Sequence, residues 1–187
     1  MHNLFGYLKY YGDVSFDKFA FNEVDSLILS LLSYVKWDKI VPSGRNDYIY
    51  LEDACTSFLK KNEKVNFKKE DWLFPNSYKL VQELIHAKRF YHTKLYHLVS
   101  SVDSNGQFGA LTIRLPNFVT YISFEGTDSN VVGWKEDFQM LYLFPIPSQK
   151  LAQEYFDKTI RFFDREIYIG GHSKGGNLAM YAYMYGK

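Results

Sequence analysis

The chain has 187 residues, of which 47% are hydrophobic, so it can form one packed domain with room for a small subdomain. Its formal net charge is +1, which does not indicate a nucleic-acid partner. The single cysteine, Cys55, excludes an internal disulfide framework and is expected in the core. The N-terminus lacks a signal-peptide pattern, and no run of about 18 apolar residues is present, so we expect a soluble cytoplasmic protein without a transmembrane segment.

Helical patterns dominate the first half of the chain. Residues 1–20 alternate aromatic and polar side chains, which indicates irregular structure with room for one short helix. Asn22 is a predicted N-cap because Asp25 follows three residues later, and Asn76 is predicted to cap a later helix. Apolar residues at helical spacing predict three helices, at 23–40, 51–61 and 77–90. A highly charged loop at 62–71 precedes the third of them.

The apolar period changes at Tyr91 from about 3.6 residues to 2, which predicts strands instead of helices. Three predicted strands form an antiparallel meander, at 95–102, 108–115 and 118–124. An Asn-Gly turn signal at 103–106 joins the first two. The meander therefore begins the second part of the chain, and we divide the protein into a helical region at 1–90 and an α/β region at 91–187.

Two more helices are predicted after the meander, at 134–142 and 149–163, with Ser148 as the N-cap of the second. The second helix returns the chain to a strand at 167–170. A strand that is reached through a crossover helix lies parallel to its neighbour in the sheet. The sequence thus predicts α/β architecture, with an antiparallel meander that leads into parallel strands.

The most informative stretch joins the last strand to a final helix. Gly171-His172-Ser173-Lys174-Gly175 fits the G-x-S-x-G pattern of a nucleophile elbow, in which a serine occupies a strained corner between a strand and a helix. Glycine at the two flanking positions lets the backbone pass closely. A structural glycine-rich turn and a phosphate-binding loop are the alternatives. The P-loop pattern fails because Lys174 follows the serine.

An elbow serine needs an oxyanion hole, a base and an orienting acid. The first oxyanion donor would be the backbone N–H of Lys174, the residue after the nucleophile. The second is expected from the loop Gly126-Thr127-Asp128, which follows the third strand of the meander. In the alternative interpretation, Thr127 and its neighbours only cap the next helix.

Three runs of sequence carry a resemblance to a known family: Phe-Glu-Gly-Thr-Asp at 124–128, Gly-Trp-Lys-Glu-Asp-Phe at 133–138, and Gly-His-Ser-Lys-Gly-Gly-Asn-Leu-Ala at 171–179. Together they resemble class 3 lipases. They resemble more closely a bacterial lipase-3-like family of unknown function in the α/β-hydrolase superfamily. The sequence departs from class 3 lipases at Glu125, where arginine is usual, and this affects the ion pairing around that loop.

The resemblance implies roles for individual residues. It implies that Ser173 is the nucleophile and that Thr127 belongs to the oxyanion hole. It also implies that Trp134 and Asp137 hold the Thr127 loop, and that His172 is a packing and hydrogen-bonding residue instead of the base. The fold that it implies is an α/β-hydrolase-like sheet behind an N-terminal helical region.

The catalytic acid and histidine follow the serine along the chain in this fold. The 14 residues after Ser173 contain no Asp, Glu or His. We therefore expect residues 91–187 to form the N-terminal half of an α/β-hydrolase domain that ends just after the elbow, with the triad Asp and His beyond residue 187. By itself the 187-residue chain is expected to be inactive.

The sequence predicts a serine hydrolase of the esterase or lipase type, which acts by acyl transfer through Ser173. We expect a small ester or lipid-like substrate, and no metal or cofactor. A non-catalytic binding or interaction module with the same fold is the alternative, and a nucleotide-binding protein is disfavoured by the failed P-loop pattern. An open sheet edge beside the last strand would favour self-association.

Overall fold

The computed structural model describes residues 3–63, 73–102, 106–128, 131–161, 164 and 166–187. Within them the protein is a mixed α/β fold with one five-stranded sheet. The α-helices, numbered in chain order, are α1 Leu4–Tyr11, α2 Glu23–Leu32, α3 Leu51–Lys61, α4 Leu73–Leu84, α5 Val131–Gln139, α6 Pro147–Thr159 and α7 Lys174–Tyr185. The strands are β1 Ile49–Tyr50, β2 Lys94–Val102, β3 Gln107–Arg114, β4 Val119–Phe124 and β5 Glu166–Gly171.

The strands lie in the order in which they follow one another along the chain, from β1 to β5. Neighbours from β1 to β4 are antiparallel, and β4 and β5 are parallel. The predicted meander and the predicted parallel pair are confirmed, with β1 as a further edge strand. Phe124 and Gly171 are partners at the ends of β4 and β5, so the two loops that follow these strands emerge side by side.

Helices cover both faces of the sheet. Alternate residues of β4 point to opposite faces, as the pleat of a strand requires. Tyr121 packs in a core with the N-terminal helices, whereas Ile122 packs in a second core with α6 and α7. Ser30 of α2 lies 2.8 Å from the Tyr121 hydroxyl, in hydrogen-bond contact, so α2 crosses the face opposite to α6 and α7.

A buried ion pair fastens the N-terminal helices to the segment that precedes β2. Arg89 lies in the short 3₁₀ helix Lys88–Phe90 and donates from Nε to Asp25 Oδ1 at 2.9 Å. Both side chains are 0% exposed. The guanidinium also donates to three backbone carbonyl oxygens, those of Val14, Phe19 and Ala20. The charge therefore has a full set of partners, which a buried ion pair needs to be stable.

Several predictions of local structure are confirmed. Asn22 is the N-cap of α2, and the side chain of Asp25 completes a capping box with it. The helix predicted at 51–61 is α3. Cys55 of that helix is buried, and burial raises the pKa of its thiol to about 12.

The predicted start of the third helix is wrong. Asn76 lies inside α4, which begins at Leu73 and ends at Leu84. Pro75 stands in the first turn of α4, where the N–H that proline lacks would have no intrahelical partner. The chain then turns into the 3₁₀ helix, so the predicted extension of one α-helix to residue 90 is also wrong.

Ser148 does not cap α6, which begins at Pro147 with Ile146 as the N-cap residue. Proline is well suited to the first helical position, and this preference outweighed the capping preference of serine. The Ser148 backbone N–H instead donates to Glu136 of α5 at 3.0 Å. The helix α5 itself begins and ends earlier than predicted, at Val131 and Gln139.

Part of the prediction lies outside the described residues. This applies to the turn at 103–105 and to most of the charged loop at 62–71. The predicted ends of two helices are wrong, because α2 ends at Leu32 instead of residue 40 and α6 ends at Thr159 instead of residue 163. The proposed division near residue 90 stays a prediction.

Candidate active site

Ser173 occupies the corner between β5 and α7 with an unusual backbone conformation. It is the N-cap residue of α7 and has φ 58° and ψ −127°. Positive φ is disfavoured for a residue with a side chain, and at this ψ it is common only for glycine. The residue is exposed to solvent. The structure therefore presents a serine hydroxyl at the surface on a strained strand-to-helix turn.

The glycines on either side of Ser173 allow a close approach of backbones. A Cβ on Gly171 would lie 2.4 Å from the carbonyl carbon of Gly175 and 2.6 Å from the carbonyl oxygen of Phe124. A Cβ on Gly175 would lie 2.2 Å from the same oxygen of Phe124. Any larger residue would force β4 and the corner apart, so the spacing of the two glycines is required by backbone contact.

The loop after β4 lies against this corner. A Cβ on Gly126 would lie 2.3 Å from the carbonyl oxygen of His172 and 2.2 Å from the hydroxyl of Tyr34. Thr127, the next residue, donates its hydroxyl proton to Asp137 Oδ1 of α5 at 2.8 Å. Trp134 Nε1 donates to the carbonyl oxygen of Asp128 at 3.2 Å. The side chains of α5 thus hold the loop beside the residue that precedes Ser173.

The side chain of Lys174 is buried beneath the corner. Its Nζ donates to Glu136 Oε2 at 2.8 Å and to the carbonyl oxygen of Gln107 at 3.0 Å. Both charged side chains are 1% exposed. Glu136 also accepts from the backbone N–H of Ser148, so one ion pair joins α7 to α5, to the first turn of α6 and to the start of β3.

From the sequence, the only role expected for Lys174 in the site is that of its backbone N–H, and no role is expected for Glu136. No local pattern links two residues that are 38 positions apart. The single sequence signal for a buried ion pair was a lysine immediately after the candidate nucleophile, at the start of a helix that packs against the sheet. A buried lysine needs an acidic partner, but the sequence does not say which of the acids supplies it.

His172 and Tyr34 form a contact between the elbow and the turn that follows α2. The Tyr34 hydroxyl lies 3.2 Å from His172 Nδ1 and donates to the His172 carbonyl oxygen, also at 3.2 Å. The two rings meet edge to face, with centroids 5.9 Å apart. Burial raises the pKa of Tyr34 to about 12, so the phenol stays protonated and remains a donor at neutral pH.

Glu125 is the residue at which the sequence departs from class 3 lipases, and its carboxyl group is buried. Oε1 has no hydrogen-bond partner, and Lys36 Nζ lies 3.6 Å from it. Lys36 Nζ also lies 3.8 Å from Asp128, so one exposed ammonium group is close to two carboxylates. Burial raises the pKa of Glu125 to about 7, although the charge of Lys36 opposes the shift.

Two other histidines make contacts away from the elbow. His97 stacks on Tyr155 with centroids 4.3 Å apart, and its Nδ1 lies 2.8 Å from Thr159 Oγ1 of α6. Burial lowers the pKa of His97 to about 4. His92 lies 3.5 Å from Glu52, just before β2, at the end of the sheet opposite to the elbow.

Among the described residues, no group of three or more His, Cys, Asp or Glu side chains is placed to hold a metal ion. In the same part of the chain, no helix is long and apolar enough to cross a bilayer.

The fold and the site define an α/β protein with a strained, exposed serine between a strand and a helix. Residues 84–187, more than half of the chain, match the family model that is described as Mbeg1-like. The protein belongs to the Mbeg1-like family. No curated protein and no solved structure matches the chain.

The family assignment made from the sequence is therefore wrong. The matching family differs from the lipase-3-like family, and no hydrolase family matches, so the description of the protein as lipase-like has no support from kinship. The error has a physical reason. A serine at a tight strand-to-helix corner needs small flanking residues in any protein. A short glycine-rich motif therefore indicates this backbone geometry and is only weak evidence of family membership.

Proposed function

We propose that the protein is a serine acyl hydrolase in which Ser173 attacks the carbonyl carbon of an ester. The backbone of Ser173 is the observation that supports this function best. A conformation of this kind costs about 1–3 kcal/mol for a residue other than glycine and tends to persist where function requires it. In a purely structural turn, glycine at this position would remove the backbone strain. The exposed serine favours a nucleophile over a structural turn.

The proposed oxyanion hole has two backbone donors. The N–H of Lys174 belongs to the first residue of α7, where backbone donors have no intrahelical partner and the helix dipole is positive. The hydroxyl proton of Thr127 is donated to Asp137, so we assign the second role to the Thr127 backbone N–H. Donors that are fixed before the reaction stabilise the oxyanion without reorganisation.

The reaction would proceed in two steps. The Ser173 hydroxyl loses its proton to a base and bonds to the ester carbonyl carbon, and the alcohol then departs with that proton. Water hydrolyses the resulting acyl-serine and releases the acid. His92 and His97 lie away from the elbow, and His172 contacts Tyr34 through Nδ1, so we propose that the base and its acid lie outside the described residues. The sheet would then be of the α/β-hydrolase type.

A hydrolysis assay tests this function on the full-length protein, translated from its whole reading frame. With 4-nitrophenyl butyrate as substrate, Ser173→Ala should lower the rate by several orders of magnitude, because no other group can form the acyl intermediate. Ser57→Ala is the matched control, since Ser57 is an exposed serine of α3. Turnover that survives in Ser173→Ala would contradict the proposal.

A non-catalytic binding module is the second candidate, and one observation favours it. An apolar strip at 138–144 connects α5 to α6 and is largely exposed. Leu141 and Tyr142 are 83% and 78% exposed, which is unusual for contiguous apolar side chains on a monomer. A full-length protein that neither hydrolyses esters nor reacts with a covalent serine probe would favour this function.

A further inference from the structure

A cavity of about 290 Å³ lies beside the elbow, between helices of the N-terminal region and His172. The apolar side chains in its wall come from three helices: Leu4 and Phe5 of α1, Leu27 and Leu31 of α2, and Leu80 of α4. Asn76 and Ser77 of α4 complete that side of the wall. Tyr34 and His172 line the end of the cavity that faces the elbow. The cavity is therefore a mostly apolar chamber, and the part of its wall next to the elbow is polar.

This polar part of the wall borders the proposed reaction site at His172. His172 immediately precedes Ser173, and the Cα atoms of consecutive residues are about 3.8 Å apart. The Tyr34 hydroxyl contacts both His172 and the position where a Cβ of Gly126 would stand. One tyrosine thus touches the cavity, the elbow and the loop that carries the proposed oxyanion donor. A molecule that fills the chamber would have one end next to His172, the residue that precedes Ser173.

The lining distinguishes this chamber from two larger cavities. Its described wall contains no Lys, Arg, Asp or Glu. A cavity of about 510 Å³ is lined by Lys9, Asp13, Lys79 and Glu83 among others. Another, of about 580 Å³, lies at the opposite end of the sheet with Arg45, Lys94, Arg114 and Arg161 in its wall. Charged walls suit polar ligands, whereas an uncharged apolar wall excludes them because a buried charge needs a partner.

We infer that this chamber binds the aliphatic chain of the ester substrate, an inference that rests on the proposed function and names its substrate class. At about 30 Å³ for each water-sized group, the chamber has room for roughly ten heavy atoms. The substrate is therefore an uncharged ester with an aliphatic chain of medium length. The chain enters the space between α1, α2 and α4, and the ester carbonyl lies at the Tyr34–His172 end.

Binding of unreactive ligands tests the inference without requiring catalysis. The full-length protein carrying Ser173→Ala is titrated by calorimetry with butanamide, hexanamide and octanamide. Affinity should rise by up to about fourfold for each buried methylene, since each contributes about 0.8 kcal/mol. Tighter binding of octanamide than of 1-octanol assigns the chain to the acyl part of the ester, and the reverse order assigns it to the alcohol part. Affinity that does not depend on chain length would overturn the inference.

Two leucines provide a matched pair of variants. Leu27 lines the chamber and is 43% exposed, whereas Leu151 of α6 is 42% exposed and belongs to the other face of the sheet. Leu27→Trp should fill the chamber and remove the dependence on chain length, and Leu151→Trp should leave it unchanged. If Leu27→Trp unfolds the protein by circular dichroism, Leu27→Ala takes its place and should keep binding while accepting longer chains. Equal losses in the Leu27 and Leu151 variants would also overturn the inference.

The outcomes separate this inference from the proposed function. Chain-length-dependent binding with an unreactive Ser173 would place an aliphatic ligand beside a serine that is not a nucleophile. If Ser173 reacts but no such binding occurs, the result supports the hydrolase function and contradicts the aliphatic substrate class. Binding and reactivity together would support both.

Discussion

Two buried ion pairs in this protein share their chemistry and differ in their surroundings. Asp25–Arg89 lies among the N-terminal helices, and its guanidinium also donates to three backbone carbonyl oxygens. Lys174–Glu136 lies directly under the elbow. Above it the chain keeps Ser173 in a strained conformation, and the neighbouring loop contains Glu125, whose Oε1 has no hydrogen-bond partner.

The difference indicates where the protein retains unfavourable features. Both pairs fasten distant segments of chain, and each satisfies its buried charges. The strained Ser173 and the unsatisfied Glu125 oxygen lie at the same end of the sheet as the second pair. Proteins tend to keep such features at functional sites. The first pair therefore serves the fold, and the second supports the geometry of the proposed site.

Arg89→Met should have the largest effect on stability. It leaves Asp25 buried without its positive partner, which lowers the free energy of unfolding by about 3–5 kcal/mol. Urea denaturation measures the loss. Lys88→Met is the control, because Lys88 pairs with Asp13 at 3.6 Å on the surface, and exposed pairs contribute less than about 1 kcal/mol. Similar losses in the two variants would contradict the assigned role of Arg89.

Lys174→Met should lower the free energy of unfolding by about 3 kcal/mol, less than Arg89→Met. The carboxylate of Glu136 keeps backbone donors from Ser148 and Gln107 after the ammonium is removed. The variant should also slow the reaction of Ser173 with a covalent probe, while folded Arg89→Met should react at the normal rate. Lys158→Met, which breaks an exposed pair on α6, should change neither property. Equal probe rates for the Lys174 and Arg89 variants would remove the distinction between the two regions.

Glu125→Gln should change how stability depends on pH. The folded pKa of about 7 lies above the ordinary value of 4.5, so the folded protein keeps a proton that the unfolded chain releases as pH rises. The stability that the protonated carboxyl provides is complete below about pH 4.5 and is lost as pH rises through 7. Between pH 5 and 8 the variant should therefore gain roughly 2 kcal/mol relative to the unmodified protein. Denaturation curves for both proteins across this range give the difference, and a constant difference would refute the assignment.

Ser173→Gly should have the smallest effect, and the effect should be stabilising. Glycine adopts positive φ without strain, so the free energy of unfolding should rise by about 1 kcal/mol after the greater entropy of the unfolded chain is subtracted. Ser173→Ala keeps a Cβ, retains the strain and should leave stability nearly unchanged. Thermal unfolding compares the two. If both substitutions have the same effect, the corner is not strained.

Local chemistry explains which parts of the structure were predictable. The Asn22 cap, the helix at 51–61 and the strand–Ser173–helix turn each depend on residues close together in sequence. The elbow was predictable because glycine spacing and backbone geometry determine each other. Ser148 was misassigned because two local preferences competed and Pro147 prevailed.

Features that depend on distant residues were not predictable in the same way. The Lys174–Glu136 pair and the apolar chamber bring together elements that have no sequence signal in common. Apolar spacing in α2 and α4 indicated buried faces, but a core and a chamber require the same residue types. The space that remains between three helices depends on how closely they pack.

The reaction of Ser173 with a fluorophosphonate probe tests most directly whether this serine is a nucleophile. It is followed by mass spectrometry of the intact full-length protein and of its peptides. We expect one adduct, located on Ser173, that is absent from Ser173→Ala and present in Ser57→Ala. Folded protein that forms no adduct on Ser173, or forms it equally on other exposed serines, would contradict the claim that this strained corner presents a nucleophile.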